Sequence, residues 1–101
     1  MEITLNEQDG RLIIAIIGDL DNIASSLAER SLAPAFERED CDILIDCTDL
    51  NYISSSGLRI LLNLYKHTRA NGHHAILKGI NEEVKEVFDL SGFLQLFTVE
   101  K

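Results

Sequence analysis

Residues 42–77 read DILIDCTDLNYISSSGLRILLNLYKHTRANGHHAIL, and the fold follows from this stretch. It opens with Asp42-Ile43-Leu44-Ile45-Asp46, an apolar, β-branched run between two carboxylates, the pattern of a buried strand. Leu50-Asn51-Tyr52-Ile53 then carries the chain across the top of the sheet to Ser54-Ser55-Ser56-Gly57. A helix follows from about Ser55 to Asn71, where Asn71-Gly72 is a C-terminal signal. His74-Ala75-Ile76-Leu77 is the next strand. Strand, helix and strand in this order favour a right-handed crossover and a parallel pair.

Upstream of this unit, Ile3-Thr4-Leu5 and Leu12-Ile13-Ile14-Ala15-Ile16-Ile17 are two β-rich runs split by the turn dipeptide Asp9-Gly10, which reads as a hairpin. The first run is short and flanked by Glu2, Asn6 and Glu7, so it is placed at an edge. The second is almost continuously apolar, so it is placed inside, buried on both faces. After Gly18-Asp19-Leu20-Asp21-Asn22, either Asp21 or Asn22 caps a helix carrying Leu27, Leu32, Ala35 and Phe36. Pro34 lacks an amide donor and is expected to kink or shorten that helix near Ser31. Downstream, Asn81 caps a third helix with Val84, Val87, Phe88 and Leu90 on its inner face, closed by Ser91-Gly92. Leu96-Phe97-Thr98-Val99 is a last short strand. The expected fold is a single α/β domain over residues 1–101: a four- to five-stranded, mostly parallel sheet with an antiparallel N-terminal strand and about three main helices.

A chain of 101 residues with 46% apolar and 26% charged side chains has the composition of an ordinary globular domain. Its 17 acidic against 9 basic residues give a formal charge of −8, which excludes a nucleic-acid backbone or an anionic membrane as the main ligand. No apolar run approaches the roughly 20 residues of a spanning helix, and Met1-Glu2-Ile3-Thr4 is not a secretory leader, so a cytoplasmic location is expected. Cys41 and Cys47 lack metal-ligand spacing and are expected to be reduced, with Cys47 a packing residue.

The chain carries no dinucleotide or P-loop glycine motif, no zinc-protease helix and no nucleophile elbow. His67 reads as a solvated residue near a helix end. His73 and His74 begin a strand, where adjacent side chains diverge, and do not make a metal pair. Three consecutive serines at a helix start are the distinctive feature. One serine is the expected N-cap, since its hydroxyl accepts a bond from an unpaired amide. A phosphate at the same place would meet free amides and the positive end of the helix dipole, adding about −1.5 to −2 charges at the surface. On the residues alone, capping and phosphorylation stand as equal readings.

The run from Ile45 through Ser54-Ser55-Ser56-Gly57 to Leu62 resembles the signature stretch of STAS domains, the fold of bacterial anti-sigma factor antagonists. Gly18-Asp19-Leu20-Asp21 resembles that family's loop before its first helix, and Gly92-Phe93 with Leu96-Phe97 its final helix-to-strand passage. The resemblance implies a partner-switching cycle in transcription regulation: the unphosphorylated domain binds an anti-sigma factor that is also a serine protein kinase, phosphorylation releases it, and a serine phosphatase resets it. ATP belongs to the partner; the module itself is not an enzyme and needs no cofactor. The switch serine of the family falls on Ser55, with Ser56 and then Ser54 as alternates. The family's switch motif commonly carries Asp before that serine, where this chain has Ser54. The partner-binding surface is expected to include Asp19, Asp21, Ser54, Ser55, Ser56, Gly57 and Arg59.

On the helix after the serines, Leu58, Leu61, Leu62 and Tyr65 form an inward stripe, and Arg59, Asn63, Lys66 and His67 a polar face. Ile60 and Leu64 widen the apolar arc beside the stripe. Either a neighbouring helix covers them, or they form an exposed ridge next to Ser55 that belongs to the partner surface. Two further functions stay open. The same domain serves as the STAS module of a transporter or lipid-trafficking complex, or docks constitutively without phosphorylation. A small-molecule pocket bordered by Asp19, Asp46 and the serine loop would be the enzymatic version, but it has no base for a serine nucleophile.

Overall fold

Asp9 and Gly10 both take positive φ, 54° and 77°, the conformation a two-residue hairpin turn demands. In the computed structural model, which describes residues 1–92 and 94–100, this turn folds β1 (Glu2–Gln8) back onto β2 (Arg11–Leu20). The antiparallel register runs from Glu2 opposite Ile17 to Gln8 opposite Arg11. The remaining elements are α1 (Ser25–Phe36), β3 (Ile43–Asp46), β4 (Leu50–Ile53), α2 (Ser55–Ala70), β5 (Ala75–Lys78), α3 (Glu82–Leu90) and β6 (Thr98–Glu100), with a 3₁₀ turn at Leu94–Leu96.

The sheet order is β1-β2-β3-β5-β6, and every pairing except β1–β2 is parallel. The edge position of β1 and the interior position of β2 agree with the sequence. The sixth strand is β4, the segment expected merely to cross the sheet. β2 has 10 residues and β3 only 4, so the end of β2 extends past β3. There β4 pairs with it in parallel through a bulge between Gly18 and Asp19, setting Tyr52 beside Asp19 and Ile53 beside Leu20.

The core joins Leu12, Ile14, Ile16, Ile43, Ile45 and Leu77 on one sheet face to Ala28, Leu32, Leu61, Leu64 and Phe88 of the helices. The expectation that β2 is buried on both faces is corrected: Ile13 and Ala15 on the other face are half-buried and Ile17 is exposed. Helix α1 continues through Pro34 to Phe36, against the expected break near Ser31. The proline removes only its own amide close to the helix end, and Leu32 and Ala35 on either side of it are fully buried. Ala28 takes the inward position assigned to Leu27, which is exposed. In α3, Val84 and Phe88 are buried as expected, while Leu90 faces out. The last strand begins at Thr98 and excludes Leu96 and Phe97. Phe93 of the expected Gly92-Phe93 passage lies outside the described residues.

Candidate functional site

Ile53 ends β4 beside Leu20, the end of β2, and the chain passes directly into α2. The backbone amide of Ser54 donates to the carbonyl of Leu20 at 2.8 Å, which fixes the helix start to the sheet. Ser54 has the extended backbone of an N-cap, and its Oγ accepts from the amide of Gly57 at 3.1 Å. It is 5% exposed. Ser55, by contrast, is exposed and Ser56 half-exposed. Neither hydroxyl has a hydrogen-bond partner among the described residues. The amides of Ser55 and Ser56 have no acceptor within the helix, and the first turn carries no acidic residue. The three serines therefore separate into a buried cap and two accessible hydroxyls.

Gly57 explains why the run ends in glycine. A Cβ built on it would lie 2.6 Å from Cγ of Leu20 and 3.1 Å from Cγ1 of Ile53. Only glycine lets the first turn of α2 settle this closely on the ends of β2 and β4. The helix N-terminus is thus held by one capping hydroxyl, one backbone bond and one close approach.

Asp19 is exposed at the end of β2, and Asp21 lies just beyond it, with its Oδ1 accepting from the amide of Ala24 at 2.8 Å. Asp21 therefore shapes the turn before α1 instead of capping the helix itself. Both aspartates line a depression of about 550 Å³ together with Ile23, Leu27 and Asn51. Asp46 is not part of it. Its Oδ1 accepts from the amide of Thr48 at 3.0 Å and from Thr48 Oγ1 at 2.6 Å, and the Thr48 bonds hold the carboxyl below its ordinary range. Asp46 builds the β3–β4 turn as a structural acceptor instead of bordering a pocket with Asp19.

Arg59 is exposed one turn after Ser55. Ile60 and Leu64 are 4% and 0% exposed, so the idea of an apolar ridge there is corrected: α1 packs along α2 and both side chains belong to the core. His67 is also not a solvated residue. Its Nε2 lies 2.8 Å from the carbonyl of Arg38, and its ring packs at a 52° tilt against Phe36 with centroids 5.6 Å apart. His73 and His74 precede β5 instead of beginning it, and both bind Asp42: Nδ1 of His73 at 3.2 Å and the amide of His74 at 2.9 Å. The His74 amide, first, and the His73 ring hold the Asp42 carboxyl below its ordinary range. These groups sit at the start of the parallel strands and the serines at the opposite end, so no histidine faces a serine hydroxyl. Cys47 is buried, and burial, with Asp46 adding to it, pushes its thiol up from 9.0 to about 12, which suits a packing residue.

Three site features escaped the sequence reading. Ile23, Leu27 and Tyr52 are 90%, 48% and 50% exposed beside Asp19 and Asp21. For Leu27 a signal existed, because Ala28, Leu32 and Ala35 already form an i, i+4, i+7 inner stripe that leaves it to one side. For β4 and Tyr52 there was none, since four residues carry no resolvable period.

A family model described as STAS domain matches residues 2–101. BtrV of Bordetella bronchiseptica, named as an anti-sigma factor antagonist, is 33% identical over 98% of this chain and 85% of its own length. Among solved structures, a Thermotoga maritima protein superposes with a TM-score of 0.86 at 18% identity, over 98% of this chain and 86% of that one. The Bacillus cell fate determinant SpoIIAA in its phosphorylated form gives 0.74 at 20% identity, over 99% and 92% of the two chains. At such identities the structural likeness speaks to fold alone.

Proposed function

The chain belongs to the STAS domain family, and from that premise we propose that it is an anti-sigma factor antagonist whose partner choice is switched by phosphorylation of Ser55. Unphosphorylated, it binds an anti-sigma factor of the serine-kinase type in the cytoplasm and frees the factor's other client. Phosphate transferred from the partner's ATP to Ser55 ends that complex, and a serine phosphatase restores it. The module acts as substrate and docking surface, and the chemistry is its partner's.

The observation that carries the reading is the division of labour among the serines. Ser54 is buried and occupied as a cap, so Ser55 is free at the surface, at a helix start with unpaired amides and no acidic side chain in its first turn. A phosphate there leaves the cap intact and is compatible with the dipole. Ser54 in place of the family's common Asp keeps the capping function, since both residue types accept the same amide bond. The likeness to BtrV, named as an anti-sigma factor antagonist, favours antagonism over a role in transport.

Binding of Ser55→Ala and Ser55→Asp to the purified kinase-type anti-sigma factor from the same genome tests this. Both variants are expected to fold. The alanine variant should bind as the wild type does and resist release by ATP; the aspartate variant should bind about tenfold or more weakly, the scale of a charge placed in a desolvated contact. Equal affinity of the two variants would remove the switch from the proposal.

A further inference from the structure

Large apolar side chains exposed side by side in a small acidic domain call for a partner. Ile23 and Leu27 are four residues apart where the chain enters α1, and they share the depression lined by Asp19, Asp21 and Asn51. Tyr52 stands beside Asp19 across the β2–β4 pairing. The Leu20 carbonyl, next to Asp21, accepts the Ser54 amide that starts α2, so the Asp21 rim of the depression lies close to the start of α2.

Resting on the antagonist reading above, we propose that Ile23 and Leu27 are the anchors that hold the anti-sigma factor, through an apolar contact on that partner rimmed by lysine or arginine. The charge around the cluster selects this occupant. Asp19 is exposed and Asp21 half-exposed at its rim, in a chain of net charge −8. A second copy of the chain, docked face to face, would set these carboxylates against themselves. A basic rim on the partner pairs with them instead. The apolar anchors then govern how long the complex lasts, and the carboxylates how fast it forms.

The anchors are exposed, so truncating them leaves the core untouched. Association of the purified anti-sigma factor with wild-type chain, the double variant Ile23→Ser/Leu27→Ser, and Asp19→Asn is followed by surface binding kinetics over a salt series, with thermal melts of each protein. The double variant is expected to melt with the wild type and bind about tenfold or more weakly, through faster dissociation. Asp19→Asn is expected to slow association and flatten its salt dependence, with little change in dissociation. Wild-type affinity in the double variant would overturn the anchor assignment and leave antagonism standing. A wild-type chain that does not bind the factor at all would overturn antagonism, and with it the stated occupant. A wild-type dimer in sedimentation that the double variant dissolves would also overturn the proposal, by making a second copy the occupant.

Discussion

Replacing Gly57 by alanine tests whether α2 is seated as closely as the structure shows. The new Cβ would lie 2.6 Å from Cγ and 2.9 Å from Cδ2 of Leu20, and 3.1 Å from Cγ1 of Ile53. Leu20 is 0% exposed and Ile53 2%, so neither can swing into solvent to make room. Forcing one methyl into such a core costs about 1–3 kcal/mol, and with contacts this short the upper half of that range applies. Alanine recovers up to about 1 kcal/mol through its better helix propensity. The net loss is therefore about 1–2 kcal/mol, or roughly 4–16 °C in Tm for a domain of this size. Urea titration followed by circular dichroism measures it. The cause is isolated by repeating the change in a Leu20→Ala background. Leu20→Ala alone should cost about 2–5 kcal/mol, but in its presence Gly57→Ala should cost clearly less than in the wild type, because the two closest atoms are gone and only the 3.1 Å approach to Ile53 remains. A Gly57→Ala protein as stable as the wild type, or the same loss in both backgrounds, would refute the close approach.

The cap and the buried thiol give two further tests. Ser54→Ala removes the side-chain acceptor of the buried Gly57 amide and should cost about 1–2 kcal/mol in urea, whereas Ser56→Ala should stay within about 0.5 kcal/mol. Cys47, with its thiol pushed up to about 12, should react with a thiol reagent at pH 8 only as fast as the domain opens, and immediately in denaturant, read in a Cys41→Ala background. The sign of its pH linkage follows from the neutral form being favoured in the fold. The contribution is fully present below 9.0 and is lost as pH rises from there toward 12, so stability should fall over that interval and the slope should weaken in Cys47→Ala.

The helices and the parallel strands were legible because their signals are long or strongly punctuated. Sixteen residues of α2 carry a full apolar stripe ended by Asn71-Gly72, and the caps expected from the serine run and from Asn81 rest on hydroxyl and amide chemistry that the structure reproduces. Other features depend on lengths and neighbours that a single segment does not announce. β4 exists because β2 outruns β3, a comparison between distant segments. The second face of β2 is open because the packed helices lie on the other side, although its apolar run reads as buried on both. Pro34 is tolerated because burial of Leu32 and Ala35 outweighs one missing amide near the helix end. At the site, the sequence assigned the serines and the two aspartates, but not the exposed Ile23 and Tyr52, since exposure of an apolar residue is a property of the assembled surface.

The most direct test of the central claim is to incubate the purified chain with the kinase-type anti-sigma factor and ATP and to map the modified residue by peptide mass spectrometry. Phosphate on Ser55, with Ser54 unmodified and the cap intact, is the predicted result. A stable complex in which Ser55 stays unmodified after full turnover of the ATP would contradict it, leaving a docking domain whose serines only cap and shape a helix.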